Sequence, residues 1–282
     1  MPLLGPAELH TRRLRWSARR AGYAERHVGD VHVWEGGSGR PLLLIPGFGV
    51  PMVWQWGPQL AALSKVRRVV APTLLGFGQS GPPGVGRVLE RQATAVVECV
   101  AGDFDLCGLS YGGFVALEIA RRWPSRVGKV VLSDCPGPCF TPDDVVELCQ
   151  RFGVGSVPDL LLPTDVRGVR ALVQLAYHRP PWIPDFVLAD VLRTTYRHRR
   201  QEQLSILEDL VARTHDPPSL EGEHETLVIW GEHDRFFPLP RGREFVGRLP
   251  RARLEVFRDT AHAPNLQASG RVSRLVVDFL TS

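Results

Sequence analysis

The sequence predicts an α/β protein: a mostly parallel, doubly wound sheet interrupted once by an inserted helical cap. Three observations lead there. Short apolar runs closed by glycine or proline recur along the chain, as in "PLLLIPGFG" (41–49), "RRVVAP" and "TLVIWG"; such runs suit strands buried on both faces of a parallel sheet. Stretches with helical spacing lie between them, the order of a βαβ protein. The alternation then stops for the 92 residues from 134 to 225, where a plain crossover needs only about a dozen.

The elements follow in order. "HVGDVHVWEGG" alternates as an exposed strand, its glycines opening a turn. After the run at 41–45 comes a helix from about Trp54 to Leu63, then "RRVVAP", then a helix over 88–101. "FDLCGLS" is the strand that feeds Ser110, and "GGFVALEIARRW" is helical, with Phe114, Leu117, Ile119 and Ala120 as its packed face and Pro124 past its end. "GKVVLSD" is again a strand. Short links of this kind imply right-handed crossovers. Four helical pieces fill the insertion. Thr141-Pro142 opens the first with a hydroxyl cap and an early proline. Asp165 opens "VRGVRALVQLAYH", Pro184 starts "DFVLADVLRTTYRHRR", and "QLSILEDLVAR" is the fourth. "TLVIW", "ARLEVF" and a closing helix "SGRVSRLVVDFL" resume the sheet. The expected organisation is a core in two parts, 1–134 and 218–282, with residues 135–217 as the cap.

Composition narrows the function. At 282 residues the chain has room for one large domain carrying an insertion. Hydrophobic residues at 44% and charged residues at 23% exclude disorder. A net charge of +4 from scattered arginines argues against nucleic acid as a partner. Five cysteines cannot all pair, and the Cys135/Cys139 spacing is unlike common zinc knuckles; reduced thiols in a reducing, cytoplasmic setting are expected. No stretch approaches the ~20 apolar residues of a membrane span. The arginine-rich start lacks an apolar signal core, and reads instead as an amphipathic helix with a solvated basic face.

The chemistry gathers at the predicted strand ends. Gly108-Leu109-Ser110-Tyr111-Gly112 fits G-x-S-x-G between a strand and a helix, where a sharp turn lifts the hydroxyl clear of the sheet and the helix N-terminus faces a developing oxyanion. A serine hydroxyl needs a base. Of nine histidines, His262 in "DTAHAP" follows the last strand, where loops line the crevice of a parallel sheet. Asp234 in "WGEHDRFFP" is the acid that holds its tautomer; Asp134, directly after "VVLS", is the competitor or a second acid. The N–H groups of Tyr111 and of Phe48 in "PGFG" are the expected oxyanion donors. Tyr177, His178, Trp182 and Phe186 in the cap, with Trp54 and Phe236 near the mouth, are expected to make a mainly apolar pocket.

"GLSYGG", "PGFG", "WGEHD" and "AHAP" resemble the nucleophile elbow, oxyanion loop, acid loop and histidine loop of the α/β-hydrolase superfamily, in its order, with spacings of 124 and 28 residues between serine, acid and histidine. The likeness runs from about residue 28 to the C-terminus. It implies the α/β-hydrolase fold, a lid between the sixth and seventh strands, and a Ser-His-Asp triad working without metal or organic cofactor. Two departures stand out: the oxyanion loop usually begins His-Gly and here begins Pro46-Gly47, and Thr73 stands where Asp is frequent before "GFGQSG". A serine nucleophile argues against the haloalkane dehalogenases and epoxide hydrolases of the superfamily, which use aspartate there. The expected function is a serine esterase acting on a small or medium hydrophobic ester or lactone through an acyl-enzyme. Acyl transfer, C–C bond hydrolysis, cofactor-free haloperoxidation and a non-catalytic ligand receptor share the same scaffold.

Overall fold

The computed structural model describes residues 5–218 and 224–282. The chain runs through helix α1 (Pro6–Arg20), strands β1 (Ala24–Val28), β2 (Val31–Gly36) and β3 (Pro41–Ile45), α2 (Met52–Leu63), β4 (Arg68–Pro72), α3 (Val88–Val97), β5 (Phe104–Leu109), α4 (Tyr111–Arg122) and β6 (Val127–Ser133). The inserted helices are α5 (Pro142–Phe152), α6 (Val157–Leu161), α7 (Val166–Ala176), α8 (Asp185–Val191) and α9 (Arg200–Ala212). Then come β7 (Thr226–Gly231), α10 (Leu239–Gly247), β8 (Ala252–Phe257), α11 (Pro264–Gln267) and α12 (Ser269–Thr281). The eight strands form one sheet in the order β1-β2-β4-β3-β5-β6-β7-β8. β1 and β2 pair antiparallel, as do β2 and β4, and the remaining pairs are parallel. This is the α/β-hydrolase fold.

Alternation within the apolar runs divides the core into two halves. Leu43, Ile45, Leu106, Val130, Leu132, Val228 and Trp230 face one side with α3 and α4, whereas Leu42, Leu44, Cys107, Val131, Leu227 and Ile229 face the other with α2 and α12. A strand covered on both faces has no polar side to show, so its sequence reads as an unbroken run.

The first strand region corrects the reading of its sequence. "HVGDVHVWEGG" is not one exposed strand: its first residues end β1, Gly29-Asp30 turn the chain, and β2 is buried along nearly its whole length. The reason is tertiary. α1 packs over the same face as Trp34, with Ala18, Tyr23 and Trp34 in one cluster, and Val31 and Val33 join the opposite core. Thr73, at the second departure, is tied to β2: its hydroxyl lies 3.2 Å from His32 Nδ1, and the His32 backbone N–H donates to Ser80 Oγ.

The caps formed as their chemistry dictates. The Thr141 N–H and hydroxyl both donate to the Asp144 carboxylate at the head of α5, and Asp165 accepts the Gly168 N–H at the head of α7. The helix begun at Pro184 is shorter than its pattern suggests, since Leu192–Arg197 winds as a π-helix. Three helices lay below the reach of periodicity: α6 has five residues, α11 has four, and α10 has nine with Gly242 and Gly247 among them. The insertion boundary at 217/218 abuts residues 219–223, which are outside the described residues.

Candidate active site

Ser110 stands between β5 and α4 with φ 52° and ψ −119°. A non-glycine residue held at positive φ is strained, and such strain persists only where the surroundings enforce it. Here they do. A Cβ on Gly108 would lie 2.4 Å from the Gly112 carbonyl oxygen, and one on Gly112 would lie 2.4 Å from that of Pro46. Glycine at both places is a steric requirement of the turn, and the turn puts Oγ at the carboxyl ends of the strands.

Two loops converge on it. The His262 Nε2 lies 2.9 Å from Ser110 Oγ, and its Nδ1 lies 2.8 Å from Asp234 Oδ2. The other Asp234 oxygen accepts the N–H groups of Phe236 (2.8 Å) and Phe237 (3.0 Å), which locks the carboxylate. With Nδ1–H donating to Asp234, Nε2 is left to accept the serine proton. Burial opposes charge on the imidazole, but the field and hydrogen bond of Asp234, backed by Asp134, outweigh it and raise the His262 pKa above 6.5.

Asp134 takes a different position. It is fully buried with φ 49°, one oxygen accepting the Gly231 N–H and the other the Ser133 hydroxyl. Burial first, and the neighbouring Asp234 second, push its carboxyl far above the usual carboxylate range. The hydrogen bond to the imidazole goes to Asp234. Asp134, Asp234 and His262 are the one grouping of three potential metal-ligating side chains among the described residues. Their atoms are already engaged with one another, with Ser110 and with backbone N–H groups.

The oxyanion loop after β3 is fixed by Gln55, a residue sequence reasoning missed. From α2, its Oε1 accepts the Gly47 N–H at 2.7 Å and its Nε2 donates to the carbonyls of Gly47 (3.1 Å) and Val50 (2.7 Å). The signal was available: Gln55 and Gln59 are the two polar side chains in an otherwise apolar helical stretch. The N–H groups of Phe48 and Tyr111 are engaged by no protein group among the described residues.

Above Ser110 lies a cavity of 690 Å³. α1 supplies Ala7, His10 and Leu14; α7 and α8 supply Val169, Leu172, Val173, Val187 and Leu188. The leading helix is therefore a wall of the site. It is tied in by the Ala7 N–H donating to Asp190 Oδ2 (2.8 Å), by Trp54 Nε1 donating to the Thr11 hydroxyl (2.9 Å), and by the His10 ring standing edge-on to Trp54 at 4.8 Å.

Of the residues expected to line the pocket, Trp54, Tyr177 and Phe236 do so. Three do not, and this corrects the reading. Trp182 is 83% exposed and Phe186 67% exposed, both on the outer side of the insertion. Proline-rich "RPPWIP" carries Ile183, not Trp182, into the cavity wall; on α8, Val187 and Leu188 face inward and Phe186 outward. His178 lies in a separate surface depression, stacked on His233 with ring centroids 3.8 Å apart. Its N–H is held by Gln267, whose Nε2 donates to the carbonyls of Ala176 and Ala263 and so ties the end of α7 to the residue beside His262.

The profile of the Alpha/beta hydrolase family matches residues 42–275. The chain is 31% identical over 261 residues to a 2-hydroxymuconate semialdehyde hydrolase of Pseudomonas putida, covering 86% of this chain and 88% of that one. It is 30% identical over 257 residues to a pimeloyl-[acyl-carrier protein] methyl ester esterase of Aromatoleum aromaticum, covering 85% and 97%. Among solved structures, a bacterial membrane phospholipase A superposes with a TM-score of 0.80 at 24% identity, covering 98% of this chain and 91% of that one. A meta-cleavage product hydrolase superposes at 0.75 and 23%, covering 93% and 99%. At those identities the structures speak to fold alone. Among the described residues no helix is long and apolar enough to cross a membrane.

Proposed function

The chain belongs to the alpha/beta hydrolase family, and from that premise we propose that it is a serine hydrolase of uncharged, apolar carboxylic esters. Ser110 attacks the acyl carbonyl while His262 takes its proton; Asp234 holds the imidazole and stabilises its charge; the Phe48 and Tyr111 N–H groups receive the oxyanion. His262 then protonates the departing alcohol, and water, activated by the same base, releases the acid. Residues 135–217 act as the cap and, with α1, shape the acyl pocket.

The single observation that carries the ester reading is the character of the cavity wall. Among the described residues that line it, none is lysine or arginine; apart from the catalytic pair, only His10, Trp54, Gln55, Tyr177 and Tyr196 carry a polar side-chain atom, and burial, with Arg13 nearby, lowers the His10 pKa and so disfavours a cation there. The C–C hydrolases among the relatives carry names such as 2-hydroxy-6-oxo-2,4-heptadienoate hydrolase, a substrate with a carboxylate. Placing a carboxylate in an apolar cavity without a partner cation costs several kcal/mol, enough to outweigh a few good contacts. A neutral acyl chain meets no such cost, and gains about 0.8 kcal/mol for each buried methylene. The methyl ester esterase relative fits the same bond type.

A fluorophosphonate label, peptide mapping and a panel of p-nitrophenyl esters from acetate to decanoate test this directly. The label is expected on Ser110, with kcat/KM rising through the medium chain lengths. Faster turnover of a dienoate C–C substrate than of every ester in the panel would reverse the assignment. Product analysis with added alcohols separates hydrolysis from acyl transfer.

A further inference from the structure

Directly after α8 the backbone widens into the π-helical segment Leu192–Arg197. π-helical turns are rare and recur at functional sites. Within this one lies Tyr196. Its ring is 5% exposed, and it lines the same cavity as Ser110 and Phe48. Its hydroxyl reaches the oxyanion loop, 3.2 Å from the position a Cβ on Gly49 would take. No protein group among the described residues hydrogen-bonds to that hydroxyl. That oxygen is not sealed in the core but opens onto the cavity, where a tyrosine hydroxyl ordinarily finds a partner. Tyr177, the other tyrosine on the cavity wall, is only half-buried and comes from the loop after α7.

We propose that Tyr196 is a catalytic residue, a side-chain hydrogen-bond donor to the acyl oxygen that complements the Phe48 and Tyr111 N–H groups. The inference rests on the serine chemistry set out above. As Ser110 Oγ bonds to the carbonyl carbon, the π pair of the C=O moves to oxygen and the serine proton moves to His262 Nε2. The phenol keeps its own proton and shares it with the new oxyanion. When the tetrahedral intermediate collapses, that pair re-forms the C=O, the bond to the leaving oxygen breaks, and His262 returns the proton to it. Burial raises the phenol pKa above its ordinary value, so the group remains a neutral donor across the working pH range. A bound acyl chain that fills the mainly apolar cavity would strengthen the bond by lowering the local dielectric.

Tyr196→Phe tests it. The ring stays and one unpaired hydroxyl is removed, so Tm is expected to hold or rise slightly. kcat for the best ester should fall by at least about tenfold, short of the about 10²–10³ carried by a dedicated oxyanion donor, with KM nearly unchanged. The second-order rate of fluorophosphonate labelling should fall by a similar factor, because the phosphoryl oxygen enters the same site. A purely packing role predicts the opposite pattern: lower Tm, unchanged kcat and an unchanged labelling rate. That pattern, or a loss confined to KM, overturns the proposal. Labelling reads Tyr196 even if no ester turns over, so failure of the ester assignment alone is told apart from failure of this one. A parent protein that takes no label at Ser110 would end both.

Discussion

On the sheet side of the cavity the catalytic atoms are held by short polar bonds: Ser110 to His262, His262 to Asp234, Asp234 to two backbone N–H groups, and the oxyanion loop to Gln55. The opposite side, built by α1, α7 and α8, is mainly a surface of Ala, Val, Leu and Ile, with His10 and Tyr196 as its polar exceptions, held by a few latches such as Asp190 to the Ala7 N–H. The two sides answer different demands. Reacting atoms must be placed to within a fraction of an ångström, which takes directional bonds between rigid elements. An acyl chain needs only volume and dryness, and dispersion contacts supply those without fixing direction. Substitutions on the two sides should therefore fail in different currencies: rate on one, chain-length preference and stability on the other.

The largest effect tests the polar side. Ser110→Ala should remove about 10⁴-fold or more of kcat and all labelling, with Tm preserved; residual activity near the parent level would mean a different nucleophile. Asp234→Asn should cost about 10⁴ in kcat, since the amide favours the wrong imidazole tautomer. If Asp134→Asn costs as much, the acid has been misassigned between the two. Gln55→Ala should lower kcat about 10- to 100-fold by loosening the loop that carries the Phe48 N–H, a prediction that steady-state kinetics on the best ester decides.

The apolar side should give smaller and differently shaped effects. Leu14→Trp, filling the cavity from α1, should cut the octanoate-to-acetate ratio of kcat/KM by at least about tenfold, the value of two lost methylenes at ~0.8 kcal/mol each, and leave acetate turnover nearly intact. Asp190→Ala strands the Ala7 N–H and should lower unfolding stability by about 1–3 kcal/mol in denaturant titrations, again with acetate turnover little changed. Equal loss on both esters in either variant would erase the distinction between the sides.

The pH profile sharpens the polar side further. The neutral imidazole is the active form, and its pKa is raised. Raising the pKa moves the acidic limb of kcat/KM to higher pH, so its midpoint should lie above 6.5. Asp134→Asn, which replaces a carboxyl that burial keeps largely protonated in this range, should move the limb little and, so far as it moves, downward. An upward move would contradict the electrostatics of this corner.

By itself the sequence determined strands β3 to β8, the elbow and the order of the loops after them. The apolar runs could only be buried strands, G-x-S-x-G between strand and helix leaves serine a single geometry, and loops after parallel strands must open on one rim. Those are local constraints, written within a few residues. Which side of α8 faces inward, whether Trp182 lines the pocket, that β2 is buried, and that α1 returns to wall the cavity are matters of long-range packing, settled by how separate amphipathic faces share one core. The same holds for the loop groups that Gln55 binds; the sequence named Asp234 as the acid but left Asp134 in competition, and in the folded chain the His262 Nδ1 contact goes to Asp234. A side chain's partner across scores of residues is chosen by the docking of whole elements, and no local pattern in the chain encodes it.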